Sequence, residues 1–154
     1  MRSVLPMMIA ALAVLGCTAP KADGELPSGG EPHVMQIHYL EIVTPDVDAL
    51  CAVYAAANGL EFGEPVPGFG FARTAPVPGG GMVGVRAPMR DSEDPVVRPY
   101  WLVDDIEAAL AAVDAAGSVV ALPPTEIPGG GTFAIYIEGG VDHGLWQLPA
   151  TDGA

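Results

Sequence analysis

The side chain with the strongest claim to chemistry in this sequence is Glu41, a carboxylate inside the apolar, β-branched run 35–44 (MQIHYLEIVT). Such a run reads as a strand, and a carboxylate in a strand is costly to bury without a partner. Glu41 therefore needs either a cation beside it, as a structural ion pair, or a task of its own as a ligand-binding group or general base. Strand alternation puts Tyr39, Glu41 and Val43 on one face and His38, Leu40 and Ile42 on the other. The second face is the more apolar and suits packing on a helix, so His38 is expected at a core edge; a one-residue bulge would reverse this. His143, between Asp142 and Gly144, is the other imidazole in a strand-like run. Cys51 sits in a helical apolar pattern and reads as a small buried hydrophobe rather than a reactive thiol. The glycine triplets at 79–81 and 129–131 follow proline and precede strands, with no Lys-Ser/Thr and no helix after them, so they are turns and not phosphate loops.

These residues must be positioned by an order of elements that is written twice. After the first strand, Asp46 is a helix-capping acid and residues 47–58 (VDALCAVYAAAN) repeat apolar side chains at Leu50, Val53, Tyr54 and Ala57. Gly59 ends that helix. Three short strand-like runs follow, LEFGE, GFGFARTA and GMVGVRAP, and the polar stretch 89–95 (MRDSEDP) reads as a linker. Then PYWLV is a strand and Asp105 a cap. IEAALAAVDAAG is a helix with Ile106, Ala109, Leu110 and Val113 on one face, and SVVALPP, GTFAIYIEG and DHGLWQLP are strands. The chain is thus β-α-β-β-β twice. A shift of fifty-nine residues lays Asp46-Val47-Asp48-Ala49 on Asp105-Ile106-Glu107-Ala108, and a shift of about sixty-one lays Arg86 on Gln147 and Pro88 on Pro149. The predicted class is α+β, with a domain over 33–150 built from module one at about 33–88 and module two at about 97–149.

The chain has 154 residues, 19 acidic against 6 basic, and a mean hydropathy of +0.37. Its start, MRSVLPMMIAALAVLGC, sets Arg2 before an apolar run too short to span a bilayer, which needs about twenty residues. That describes an export signal over 1–16. Val14-Leu15-Gly16-Cys17 resembles the bacterial lipobox, which implies lipidation at Cys17; a plain cleaved signal with an incidental cysteine is the alternative. Residues 17–32 form a flexible tether rich in proline and glycine. Removing 1–16 leaves 5 basic residues against 19 acids, a net charge of −14, which disfavours nucleic acid as a partner. With Cys17 acylated, Cys51 stands alone and no intrachain disulfide is expected. The expected location is outside the cytoplasm, held to a bacterial membrane through the anchor only and facing periplasm or cell surface. Thr18 after the cysteine is the pattern read in Gram-negative lipoproteins as outer-membrane sorting.

A tandem βαβββ repeat of this size resembles the vicinal oxygen chelate superfamily, and within it the glyoxalase-like branch. The carrying residues are Tyr39-Leu40-Glu41-Ile42-Val43-Thr44-Pro45-Asp46, PYWLVDDIEAAL, PPTEIPGGGTFAIY and HGLWQLP. The resemblance implies two modules with their sheets side by side, a cup that holds the ligand, and helices on the outside. It also implies a divalent metal bound by His, Glu or Gln on the first and last strand of each module, with open positions for a chelating substrate. At the matching places this sequence has Tyr39, Val83, Arg98 and Gly144, so neither the usual metal nor another cofactor is expected. Arg98 is the candidate partner of Glu41 across the modules. Tyr39, Glu41, Arg98, Tyr100 and Trp146 are the candidate ligand-binding residues, with Glu41 the candidate catalytic base; the aromatics could equally be core. The leading expectation is a small organic molecule bound in the cup, by a binding module or a metal-free enzyme. Alternatives are a divergent metal-dependent lyase or dioxygenase using some of Glu41, Asp142 and His143, and a non-catalytic structural or interaction lipoprotein. A homodimer is compatible with each.

Overall fold

The structure, a computed structural model, describes residues 35–150. The export signal, Cys17 and the tether lie outside the described residues. Strand β1 (Ile37–Val43) leads into helix α1 (Val47–Asn58), then β2 (Pro65–Val66), a 3-10 turn (Pro67–Phe69), β3 (Ala72–Pro76) and β4 (Met82–Arg86). The second module repeats the order with β5 (Val96–Leu102), α2 (Ile106–Ala115), β6 (Val119–Ile127), β7 (Gly131–Glu138) and β8 (Val141–Gln147). All eight strands form one sheet in the order β2-β3-β4-β1-β5-β8-β7-β6. Each module contributes four neighbouring strands, with β1 parallel to β4 and β5 parallel to β8. The modules meet where β1 and β5 run antiparallel, with Glu41 opposite Arg98 and Tyr39 opposite Tyr100.

Alternation sorts the side chains of this sheet into two layers. On the helix-covered face, Ile42, Val83 and Val85 pack with Cys51 and Leu60 beneath α1. Ala134 and Leu145 pack with Ile106 and Leu110 beneath α2. Each fully buried aliphatic side chain contributes about 1.5–3 kcal/mol, so these two patches fasten a helix to each module. On the other face Tyr39, Tyr100 and Trp146 gather with Phe69, Phe133 and Ile135 around them. Burial of Cys51 raises its thiol above the usual range, in keeping with a packing role.

Three local expectations are corrected. Residues 60–64 (LEFGE) form no strand; Arg73 reaches across to donate to the Gly63 and Phe62 carbonyls and holds the segment as irregular chain. Residues 68–71, read as the start of a strand, instead fall in the 3-10 turn Pro67–Phe69 and then in Gly70 and Phe71 in the left-handed region, Phe71 at φ 61°. Asp46 makes no side-chain cap to α1, whereas Asp105 accepts from the Ala108 amide at 2.9 Å and caps α2. The Asp46 amide is held instead by Thr44 Oγ1 at 3.2 Å. Gly59 does end α1 as read, at φ 67° with its N–H on the Ala55 carbonyl.

Candidate functional site

The face opposite the helices encloses a cavity of about 770 Å³, within the size range of sites that take small organic molecules. All five candidate ligand-binding residues, Tyr39, Glu41, Arg98, Tyr100 and Trp146, line it. Their common face follows from strand parity on β1, β5 and β8. The wall is apolar and aromatic: Trp146 stacks between Phe69 and Phe133 at 5.8 and 6.1 Å between ring centroids. Leu122, Ile127 and Ile135 continue it.

Charge sits at the floor. Glu41 is only 6% exposed, and both of its oxygens are engaged. Oε1 accepts from Arg86 Nε at 2.6 Å; Oε2 accepts from Arg98 Nη1 and from the Tyr100 hydroxyl, the latter at 3.0 Å. The arginines carry the network outward. Arg98 Nη2 donates to Asp142 at 2.6 Å, and Arg86 donates to both oxygens of Glu93 at 2.6 and 2.9 Å. Burial works against the charge on each arginine, but hydrogen bonds to Glu93 and Glu41 at Arg86, and to Asp142 at Arg98, raise both above the ordinary range. Burial followed by the nearby Glu41 charge pushes the Tyr39 and Tyr100 phenols up, which keeps both protonated. Glu41 thus ties two arginines and a phenol together, and Arg98 is its cross-module partner as the strand register requires.

Two placements were not legible in the sequence. Val83, taken as the module-one counterpart of Gly144, faces the helix core; Gly84 is the residue that faces the cavity. A Cβ on Gly84 would fall inside the Tyr39 phenol, and one on Gly144 inside the Tyr100 ring. The last strands are therefore related by sixty residues and not sixty-one, and this parity also turns Arg86 into the cavity. A lone arginine in the apolar run GMVGVRAP was the available signal. The stretch 89–95, read as a linker, supplies Met89, Arg90 and Glu93 to the wall. His38 is the extra residue of a bulge between Ile37 and Tyr39, half-buried with its ring 5.3 Å from Trp146. It does not line the cavity, and burial lowers its pKa. His143 points the other way and stacks on Tyr136 at 5.0 Å.

No protein-family model matches this chain, and no curated protein does. Solved structures do match it. A hypothetical protein from Bacillus halodurans superposes with a TM-score of 0.62 at 13% identity, over 79% of this chain and 99% of that one. Methylmalonyl-CoA epimerase from Mycobacterium tuberculosis gives 0.58 at 18% identity, over 73% and 87%. The Streptomyces coelicolor methylmalonyl-CoA epimerase variant in complex with 2-nitronate-propionyl-CoA gives 0.56 at 20% identity, over 77% and 98%. The fold is the vicinal oxygen chelate fold. At these identities the likeness establishes architecture alone.

The metal that this fold implies can be set against the residues present. Gly84 and Gly144 offer no donor, and the tyrosine rings above them leave no room for one. Arg86 and Arg98 bring two cations to Glu41, the only buried carboxylate among the described residues. Among the described residues no three of His, Cys, Asp and Glu come together, and Glu41, Glu93 and Asp142 are each already paired with an arginine. The side chains do not fit a divalent ion.

Proposed function

We propose that this protein is an exported, lipid-anchored binding domain that takes a small organic molecule into its cup without a metal. The observation that carries the reading is the floor of the cavity. Where a chelating site would offer open carboxylates and imidazoles, two arginines bracket Glu41 beneath an aromatic and aliphatic wall. Such a surface holds a ligand by apolar contact and a few fixed polar groups, the usual composition of a small-molecule site. Glu41 orients Arg86, Arg98 and Tyr100, and its engagement with all three favours this positioning role over that of a base.

A fragment library screened against the full chain by ligand-observed NMR tests this. Hits are expected that survive EDTA and disappear in Ile135→Trp, which fills the cup. Stoichiometric Fe, Mn, Ni or Zn in protein purified without chelators, lost on Glu41→Ala, would overturn the metal-free reading. The anchor rests on the sequence at 1–17. Palmitate labelling of the wild type but not of Cys17→Ala is the expected result, and no labelling of either would reduce the segment to a plain export signal.

A further inference from the structure

Between residues 35 and 150 the chain has fifteen acids and four arginines, with no lysine. Three of those arginines, Arg86, Arg90 and Arg98, line the one cavity described above. The fourth, Arg73, pairs with Asp48 elsewhere. Cations this scarce and this concentrated suggest recognition of a negative charge. We infer that the cup selects an organic acid, with Arg90 receiving its carboxylate and the Phe133–Ile135 wall receiving its apolar body. The inference rests on the cup being a ligand site and names the class of ligand.

The polar capacity left unfilled in the cup is donor capacity. The three carboxylates that line it, Glu41, Glu93 and Asp142, each already accept from an arginine. Arg90 is exposed at the wall, and its guanidinium has no hydrogen-bond or ion-pair partner among the described residues. Deeper in, the Tyr39 hydroxyl and Arg98 Nε are buried donors that likewise lack a partner among the described residues. Buried polar groups in native proteins are normally satisfied, so unpaired donors in a ligand-sized cavity ask for an acceptor. A planar guanidinium matches a carboxylate by two parallel hydrogen bonds. A cationic ligand would be repelled by Arg90, and a neutral one would offer it only an uncharged acceptor, without the charge-assisted pair. The cup lining is balanced, three arginines against three carboxylates, while the rest of the described chain is strongly acidic, so an anion meets least repulsion inside the cup.

Calorimetric titration of the full chain with 2-naphthoate and its neutral counterpart 2-naphthamide tests the inference. Naphthoate is expected to bind about tenfold more tightly, and Arg90→Gln is expected to lower its affinity to the level of naphthamide. Arg73→Gln, which removes the same charge elsewhere, should leave naphthoate binding as in the wild type. An unchanged unfolding midpoint for Arg90→Gln excludes misfolding. Equal binding of both probes, or full naphthoate affinity in Arg90→Gln, would overturn the choice of an acid and leave the cup as a ligand site. Failure of both probes together with failure of the fragment screen would overturn both.

Discussion

Glu93 accepts two hydrogen bonds from Arg86 and one from the Met89 amide, and this set holds its carboxyl down to about 2 against the partial cost of burial. A carboxyl depressed in the folded state contributes stability that is present above its ordinary range, near 4.5, and is lost as pH falls through the folded value. The window is therefore pH 4.5 down to about 2, and the sign is loss on acidification. Unfolding free energy measured across that window should fall by about 3 kcal/mol more in the wild type than in Glu93→Gln; parallel curves for the two proteins would contradict the assignment. At this scale the sequence was half legible. Glu41 announced itself as a carboxylate in a strand, and parity with the repeat supplied Arg98. Arg86 stayed hidden because sixty-one residues of shift, taken from Pro88 and Pro149, turn β4 over by one residue and send Arg86 to the wrong face. Glu93 was invisible for a different reason: it lies in irregular chain, where no periodicity reports direction.

Among the elements, the two helices offer a direct comparison, since Asp46 and Asp105 are equivalent by sequence yet differ in geometry. Asp105 accepts from the Ala108 amide, and Gln147 Oε1 accepts from the Ile106 amide at 2.8 Å, so the start of α2 has two of its free donors satisfied by side chains. Asp105→Ala should cost about 1 kcal/mol. Asp46→Ala, with no cap to lose, should cost only a few tenths of that scale; chemical denaturation of the two variants measures both. Equal losses would mean that Asp46 caps α1 in solution. Element order and both helix spans were readable because apolar spacing and Gly59 mark them. The region from 60 to 71 was not, because its shape is set by contacts distant in sequence. Arg73 binds the carbonyls of Phe62 and Gly63, and Phe69 is drawn onto Trp146. Alternating apolar residues there imitate a strand without the partner that a strand needs.

The whole described domain follows from one repeated module whose two copies join edge to edge, so that each copy's helix closes the back and its other strand face opens to the shared cup. What marks the cup of this chain is Gly84 under Tyr39 and Gly144 under Tyr100, with Arg86 and Arg98 across Glu41. Removing Glu41 would leave two buried guanidiniums facing each other, and breaking a buried ion pair of this kind costs about 3–5 kcal/mol. The network is thus part of the fold as well as of the floor, and a binding assay that relies on Glu41 variants alone would confound the two. A crystal of the wild-type chain soaked with 2-naphthoate, with anomalous data collected at the edges of Fe, Ni and Zn, decides whether the cup holds an organic acid or a metal. Density for the organic molecule is expected between Arg90 and the Phe133–Ile135 wall, with no anomalous peak beside Glu41. An empty cup, or a metal peak coordinated by Glu41 with the arginines swung away, would contradict it.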